Sequence, residues 1–350
     1  MTLKSPPTPT WNPRIEGLRG VAILLVFFAH INPDKAHNWG TIGVAIFFII
    51  SGFVITGSLI KLNNTFESKN RTLFGLLNVF YRRRARRLLP LAILTIFTTL
   101  LISFLDSSAD HRQYILSSLF CLFYVGNLFG YTFNYTDLAP AIGHFWSLGV
   151  EEQFYFFWPI MFYFLIRPHK RPRFMNLIVL GIFVTQVSHP LIVLMNKTPY
   201  TLPTTYIDLL LFGCLLQLTK DKAERLSGVP LALTKVFGIL SLLVIIFSKS
   251  FSSDGVIKYF GYNLYALLAA AVFIFSLNSN FLNNFILRYF GRISYSLYCI
   301  HWPCFYFWRT FIGGGVISML VAGTLSIILS SISHKYFESR FYDSKSHERQ

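Results

Sequence analysis

Long apolar runs recur along the whole of this chain and constrain its fold more than any other feature. A helix needs about 20 mainly apolar residues to cross a bilayer, with a usable range of about 17–25. Runs near that size lie at Leu18–Ile31, Thr41–Ile60, Leu88–Leu105, Val150–Ile166, Phe174–Met195, Thr204–Leu218, Pro230–Ser248, Tyr259–Leu277, Ile293–Phe311 and Val316–Ser333. Only 13% of the residues are charged, about half the share of an ordinary soluble domain. We therefore predict an all-α fold, a polytopic membrane helical bundle of about ten transmembrane helices.

A further run, Tyr114–Phe129, is more polar, because it contains two serines, a glycine and an asparagine. If it crossed the membrane, the basic residues from Arg167 to Arg173 would lie outside, against the rule that Lys and Arg concentrate in cytoplasmic loops. If it re-enters or lies in the interface, 25 of the 31 Lys and Arg residues lie on the cytoplasmic side. The six exceptions are Lys35, Arg112, Lys197, Lys249, Lys258 and Arg309. We therefore predict a non-spanning segment between the third and fourth spans.

The formal net charge of +16 fits this membrane topology. A nucleic-acid-binding protein is disfavoured, because the basic residues flank apolar runs instead of forming one solvated face. We expect residues 1–13 to form a flexible cytoplasmic N-terminus, 14–341 a membrane domain and 342–350 a cytoplasmic tail. No A-x-A cleavage pattern follows a short apolar region, so the first run is expected to remain as a helix. The predicted location is the cell inner (plasma) membrane, with both termini cytoplasmic.

The cysteines and the common motifs indicate neither a metal nor a nucleotide. Cys121, Cys214, Cys299 and Cys304 all lie in apolar stretches, and none forms a CxxC pair with partnering histidines. They are expected to be small buried side chains, and no metal site is predicted. GxSxG, HExxH and P-loop patterns do not occur in the sequence, so the corresponding hydrolase, zincin and nucleotide-hydrolysis functions have no motif support.

Ionisable residues inside the apolar runs are candidates for function, because a charge in the membrane is costly. Arg19 and His30 are eleven positions apart, which places them on one helix face about 16 Å apart along the axis. A lone histidine on such a face is more often structural. His30 is nevertheless a candidate general base, since imidazole accepts protons near neutral pH.

Two adjacent carboxylates, Glu151 and Glu152, lie near the predicted outer end of the fourth span. One of them could cap the helix N-terminus, where an anion is favoured. The other could orient an imidazole and make it a better base. Because His30 is predicted at the same depth, we hypothesise that His30 pairs with Glu151.

Three other segments and one isolated acid carry polar groups at a membrane boundary or inside a span. The basic segment Tyr81–Pro90 is either a topological anchor on anionic lipid or a docking site for a phosphorylated donor. Ser294, Tyr298 and His301 recur at i, i+4 and i+7 and so share one face, either as a substrate-cavity wall or as an interhelical contact. Ser51 and the glycine after it permit close approach of another helix or a ligand. Asp208 is a buried acid without an obvious local partner.

Taken in order, these motifs resemble the acyltransferase-3 family of integral membrane acyltransferases, over about Arg14 to Phe341. The matching motifs are Arg-x10-His at Arg19 and His30, FFxxSGF at Phe47–Phe53, the basic stretch ending in RxxP at Arg87–Pro90, HxWSLxxExQFY at His144–Tyr155 and GxxSYxxYxxH at Gly291–His301. The sequence departs from the family's usual pattern at Ala45, at Tyr206 before Asp208, and at Glu338-Ser-Arg340.

The resemblance implies a membrane-bound enzyme that transfers an acyl group, with acetyl expected, from acyl-CoA to a hydroxyl of a cell-surface glycan or related acceptor. His30 backed by Glu151 would be catalytic. The CoA phosphates would be held by Arg19, Arg83, Arg84 and Arg87. Substrate would be bound by Ser51, Glu152, Tyr298 and His301. Acetyl-CoA is the expected co-substrate and no metal is implied.

The expected partners are membrane lipid and a glycan or lipid-linked saccharide, with no nucleic acid. Many relatives carry a further SGNH-type domain, and we expect such a partner protein if a second transfer step exists. O-antigen, peptidoglycan, exopolysaccharide, Nod-type oligosaccharides and macrolides all remain open as acceptors. A transporter or flippase of a lipid-linked glycan or small amphiphile is the alternative function, since it also needs many spans and central polar residues. A scaffold would not need buried Arg, His and Glu.

The charge pattern makes a topology prediction. A reporter fused after Lys170 should give a cytoplasmic signal, because this basic loop follows the fourth span, and one fused after Lys197 should give an external signal. Paired enzymatic reporters that are active only inside or only outside the cell would measure this. An external signal after Lys170 would overturn the ten-span topology.

Overall fold

The computed structural model describes residues 12–31, 33–67, 72–129, 138–166, 171–195, 203–221, 225, 227–247 and 256–341. Within these ranges the chain is helical and contains no β-strand. The helices are α1 (Pro13–Ile31), α2 (Pro33–Glu67), α3 (Leu73–Leu105), α4 (His111–Leu122), α5 (Trp146–Leu165), α6 (Arg171–Leu194), α7 (Ile207–Leu218), α8 (Gly228–Phe247), α9 (Val256–Asn278), α10 (Phe285–Arg292), α11 (Ser294–Phe311) and α12 (Val316–Ile332).

The all-helical prediction is confirmed, and each of the ten predicted runs overlaps one of these helices. In the described part of the chain, five helical stretches are long and apolar enough to cross a membrane. They are Asn38–Thr65, Leu73–Leu105, Pro172–Leu194, Tyr259–Leu277 and Val316–Arg340. A count of ten spans therefore stays a prediction. The predicted N-terminus and tail lie almost entirely outside the described residues, as do Arg167 and Lys170.

The segment predicted not to cross the membrane is short and broken. Helix α4 has 12 residues, a rise of about 18 Å against an apolar bilayer core of about 30 Å. It ends at a turn in which Tyr124 has φ of +56°. A short 3-10 turn, Gly126–Leu128, follows. This length fits a re-entrant or interfacial segment better than a span.

Large apolar side chains cover the outside of the bundle. Phe183 on α6 is 63% exposed and Ile317 on α12 is 80% exposed, with many similar neighbours along both helices and on α8. Exposed apolar surface on this scale marks a contact surface and not a water-facing one. It is the surface expected of helices that face lipid.

Glycines allow α2 to lie close to its neighbours. A Cβ placed on Gly52 of α2 would collide with the carbonyl of Leu210 on α7, and a Cβ on Gly213 of α7 would collide with the carbonyl of Ile49. Small residues at such crossings let two backbones approach, which is how membrane helices pack. Gly52 therefore faces α7, which is one of the two close approaches expected from the sequence, that of another helix. The neighbouring Ser51 is turned about 100° away from that contact.

This packing makes a stability prediction with a matched control in the same helix. Gly52→Ala should lower the free energy of unfolding by about 1–3 kcal/mol, because the added methyl overpacks a backbone contact. Gly57→Ala should leave it unchanged or raise it by up to about 1 kcal/mol, since the nearest group is the end of the Gln217 side chain, 3.2 Å away. Unfolding in detergent would measure both, and equal effects would contradict this account of the crossing.

Candidate active site

A cavity of about 160 Å³ lies between α1, α2, α3, α5 and α11. Seven of the residues predicted from the sequence line it: Arg19, Ser51, Arg84, Arg87, Glu151, Ser294 and Tyr298. Apolar side chains of α2, including Val44 and Phe47, line it as well. The sequence therefore predicted most of the polar lining of one cavity from residues on five different helices.

Ser51 and Glu151 form the centre of the cavity wall. The Ser51 hydroxyl donates to Oε1 of Glu151 at 3.0 Å, and the Tyr155 hydroxyl donates to Oε2 at 3.1 Å. Ser51 can reach α5 because Gly52 takes the contact with α7. The Glu151 carboxylate is thus held by a hydroxyl on each side.

Arg84 is the cation of this wall. Its Nε lies 2.9 Å from Oε1 of Glu152, one of its terminal nitrogens lies 3.9 Å from Oε2 of Glu151, and both ion pairs are largely buried. The guanidinium carbon also lies 3.3 Å from the centre of the Tyr155 ring. Two carboxylates therefore already face the charge that was predicted to bind a CoA phosphate.

These ion pairs contradict the predicted difference in membrane depth between Arg84 and the two carboxylates. Arg84 was placed at the cytoplasmic end of the third span and the two carboxylates at the outer end of the fourth, yet they are in contact. The reason is that α3 is one continuous helix from Leu73 to Leu105, so the basic segment lies within the helix and not before it. Arg83 is exposed on the same helix and is not part of the cavity lining.

Arg19 and Ser294 join α1 to α11 at the cavity. The guanidinium donates to the Ser294 hydroxyl oxygen from Nε at 3.2 Å and from a terminal nitrogen at 2.9 Å. Both residues line the cavity. Of the face predicted for α11, Ser294 and Tyr298 line the cavity, whereas His301 does not.

His30 and His301 form a hydrogen-bonded pair. Nδ1 of His30 lies 3.0 Å from Nε2 of His301, and the two rings stack with centres 5.1 Å apart. The predicted pairing of His30 with Glu151 is wrong, because the Glu151 carboxylate faces Ser51, Tyr155 and Arg84 instead.

The helical rise of α5 explains this outcome. The ring of His144, just before α5, lies 5.4 Å from that of His301. Glu151 is seven residues further along the chain, which corresponds to about 10 Å of helix. The carboxylate is thus about two turns deeper than the histidines.

The hydrogen bonds of His301 determine which nitrogen of His30 is basic. Nδ1 of His301 lies 2.8 Å from the carbonyl oxygen of Leu297, and because a carbonyl only accepts, Nδ1 carries the proton. In a neutral ring Nε2 then carries the lone pair and accepts from Nδ1–H of His30. The neutral His30 ring consequently has its lone pair on Nε2.

Tyr298 separates the cavity from the histidine pair. Its hydroxyl donates to the backbone carbonyl of His144 at 2.6 Å and accepts from the Ser147 hydroxyl, also at 2.6 Å. Ser147 and Tyr298 both line the cavity. The ring of Tyr298 lies 6.0 Å from that of His301, so the histidines lie immediately behind it.

Two further polar residues, His144 and Asp208, lie outside the cavity lining. His144 had no predicted role beyond its motif, although its buried ring lies within the histidine cluster. Asp208 has a partner that sequence spacing did not reveal, since Gln186 of α6 donates to its carboxylate away from the cavity. In the described residues, no group of three or more His, Cys, Asp or Glu side chains is arranged to hold a metal ion.

The ion pairs of Arg84 make a stability prediction. Arg84→Met should lower the free energy of unfolding by about 3–5 kcal/mol, because it leaves two largely buried carboxylates without their cation. Arg83→Met, on the exposed face of the same helix, should have little effect. Unfolding of the two variants in detergent would measure this. Similar stabilities would show that Arg84 does not hold α3 against α5.

Comparison with known proteins places this site in a family. The acyltransferase-3 family, described as an acyltransferase domain, matches residues 12–335. The O-acetyltransferase OatA of Staphylococcus aureus is 28% identical over 95% of this chain and 57% of its own length. The peptidoglycan O-acetyltransferase OatA of Listeria monocytogenes is 30% identical over 83% of this chain and 49% of its own length.

The matched region thus spans about half the length of these curated relatives. No solved structure matches the chain. Several long apolar helices, a cavity lined by the family's motif residues and a family match over nearly the whole sequence agree with one another. The chain is a multi-pass membrane protein of the acyltransferase-3 family.

Proposed function

We propose that this chain is a membrane-bound O-acetyltransferase that moves an acetyl group from acetyl-CoA to a hydroxyl of a cell-surface glycan. The observation that carries the proposal is the His30–His301 pair directly behind a polar cavity. A hydroxyl is a weak nucleophile near neutral pH and needs a base to accept its proton. Nε2 of His30 carries the lone pair that this step requires.

His301 is a positioning residue in this proposal. It is fully buried and anchored to the Leu297 carbonyl, so it holds the His30 ring in one tautomer and one orientation. Such a partner has the role that the carboxylate has in other imidazole bases. The catalytic role first given to Glu151 changes accordingly, and we assign this carboxylate to the opposite wall of the cavity, where it holds Ser51.

The donor enters from the basic end of the cavity. Arg87 lines this end and is exposed, and Arg83 lies nearby on the same helix. Guanidinium groups suit phosphate oxygens, because their planar donors can bind two oxygens at once. Arg84 contributes to the wall and not to phosphate binding, since its charge faces Glu151 and Glu152. The thioester then lies beside Ser51 and Tyr298, with the acceptor on the histidine side.

The named relatives suggest which acceptor to test first. The Listeria relative is called a peptidoglycan O-acetyltransferase, so peptidoglycan is the first candidate acceptor for this chain. We place the acceptor on the outer face of the inner membrane and both termini in the cytoplasm. The support is the charge pattern of the loops, which puts His30 towards the outer end of its helix.

His30→Ala should reduce acetyl transfer at least about 100-fold, because the hydroxyl loses its base. Membranes that contain the full chain would be supplied with acetyl-CoA carrying a labelled acetyl group, and label in envelope esters would be counted by mass spectrometry. His111→Ala is the matched control, since His111 is exposed at the start of α4. Near-full activity of His30→Ala would remove this residue from the mechanism. Glycan that crosses the membrane without any ester would favour the transporter alternative.

A further inference from the structure

The cavity changes in polarity from one end to the other. Arg87 lines the basic end, where the donor is proposed to enter. At the Tyr298 end, the lining side chains Val44, Phe47 and Leu148 pack against the hydrophobic cluster that contains Tyr298. A cavity that is basic at one end and apolar at the other matches an acyl-CoA thioester, whose phosphates and acyl chain lie at opposite ends of the molecule.

One face of α2 carries this change in polarity. Val44, Phe47 and Ser51 are spaced at i, i+3 and i+7, so they share one face of the helix, and all three line the cavity. Within the stretch Ile42–Phe53 they are the partly exposed residues, whereas the others are buried. From Ser51 to Phe47 the helix rises about 6 Å. Over that distance the wall changes from a hydroxyl that donates to Glu151 to an aromatic ring.

Side chains from three helices bound the apolar end of the cavity. The ring of Phe47 on α2 meets the ring of Tyr298 on α11 edge to face, with centres 6.5 Å apart. Leu148 comes from α5, next to Ser147, whose hydroxyl is hydrogen-bonded to that of Tyr298. Phe47 is the largest of the apolar side chains at this end, so its ring has the greatest effect on the space that remains for a ligand.

We propose that Val44, Phe47 and Leu148 form the pocket for the acyl chain of the donor, and that the Phe47 ring limits this chain to a short one. The inference rests on the proposed function, in which the thioester lies at the Tyr298 end of the cavity, nearest to the histidine pair. Burial of the acetyl methyl group against apolar side chains is favourable.

A longer acyl chain would overlap with the Phe47 ring. Packed side chains accept further methylene groups only with strain, and the ring is supported from behind by the cluster around Tyr298. One methylene more or less in an apolar pocket changes the preference of an enzyme for its substrate by about 10- to 200-fold. Phe47 is therefore a specificity-determining residue, which excludes long donors without taking part in the proton transfer.

The decisive measurement is the ratio of kcat/KM for acetyl-CoA to kcat/KM for butyryl-CoA, in membranes that contain the full chain. In the native chain this ratio should be at least about 100, because butyryl has two further methylenes. Phe47→Ala should lower the ratio at least about 10-fold, and Phe47→Leu should lower it by less. Mass spectrometry of the envelope esters distinguishes the two acyl groups. Because both donors are compared in the same membranes, any loss of folded protein cancels from the ratio.

Phe53→Ala is the matched control, since it removes the same side chain from the same helix. The Phe53 ring packs against Phe273 of α9, with centres 4.9 Å apart, and Phe53 does not line the cavity, so the native ratio should be kept. Equal use of both donors by the native chain, an unchanged ratio in both Phe47 variants, or an equal fall in Phe53→Ala would overturn the proposal. Absence of transfer from either donor by the native chain would instead refute the proposed function.

Discussion

The burial of Arg84 is the constraint on which the rest of the site depends. A charge inside an apolar bundle is stable only if it is paired, and Arg84 finds Glu151 and Glu152 on α5. This fixes α3 against α5. Glu151 then receives the Ser51 hydroxyl from α2, so one cluster of charges orients three walls of the cavity. Without this cluster of charges, no ion pair would hold α3, α5 and α2 around the polar cavity.

Helix α5 and the turn before it set the spacing of the site. The carbonyl of His144 holds Tyr298, Ser147 holds the same hydroxyl, and Glu151 one turn further on holds Ser51. These three residues cover about 10 Å along the helix axis. In the proposed reaction, one element would therefore hold the groups that face the donor and those that face the acceptor at a fixed separation, which suits two substrates that come from opposite sides of a membrane.

The sequence predicted what lies along and around single helices. Apolar length located the helices, and the i, i+4, i+7 spacing placed Ser294 and Tyr298 on one face of α11. Sequence patterns did not predict how the helices are aligned with each other, because periodicity carries no information about the relative shift of two helices along the membrane normal. The pairing of His30 with Glu151 was wrong for this reason, and the depths predicted for Arg84 and for the two carboxylates were incompatible with each other. The place of His144 in the histidine cluster was missed because the contact between its ring and that of His301 exists only in three dimensions.

The partner of His30 is a histidine and not a carboxylate, and the surroundings of His30 explain why. A carboxylate would bring a second full charge into a region lined by aromatic and aliphatic groups, far from the cation that stabilises Glu151. An imidazole that is anchored to a backbone carbonyl can fix the same tautomer without bringing a second full charge into this region. In the proposed reaction, charge would then appear only as the proton moves from the acceptor hydroxyl to His30, and stabilisation of that charge in the transition state is what accelerates a reaction.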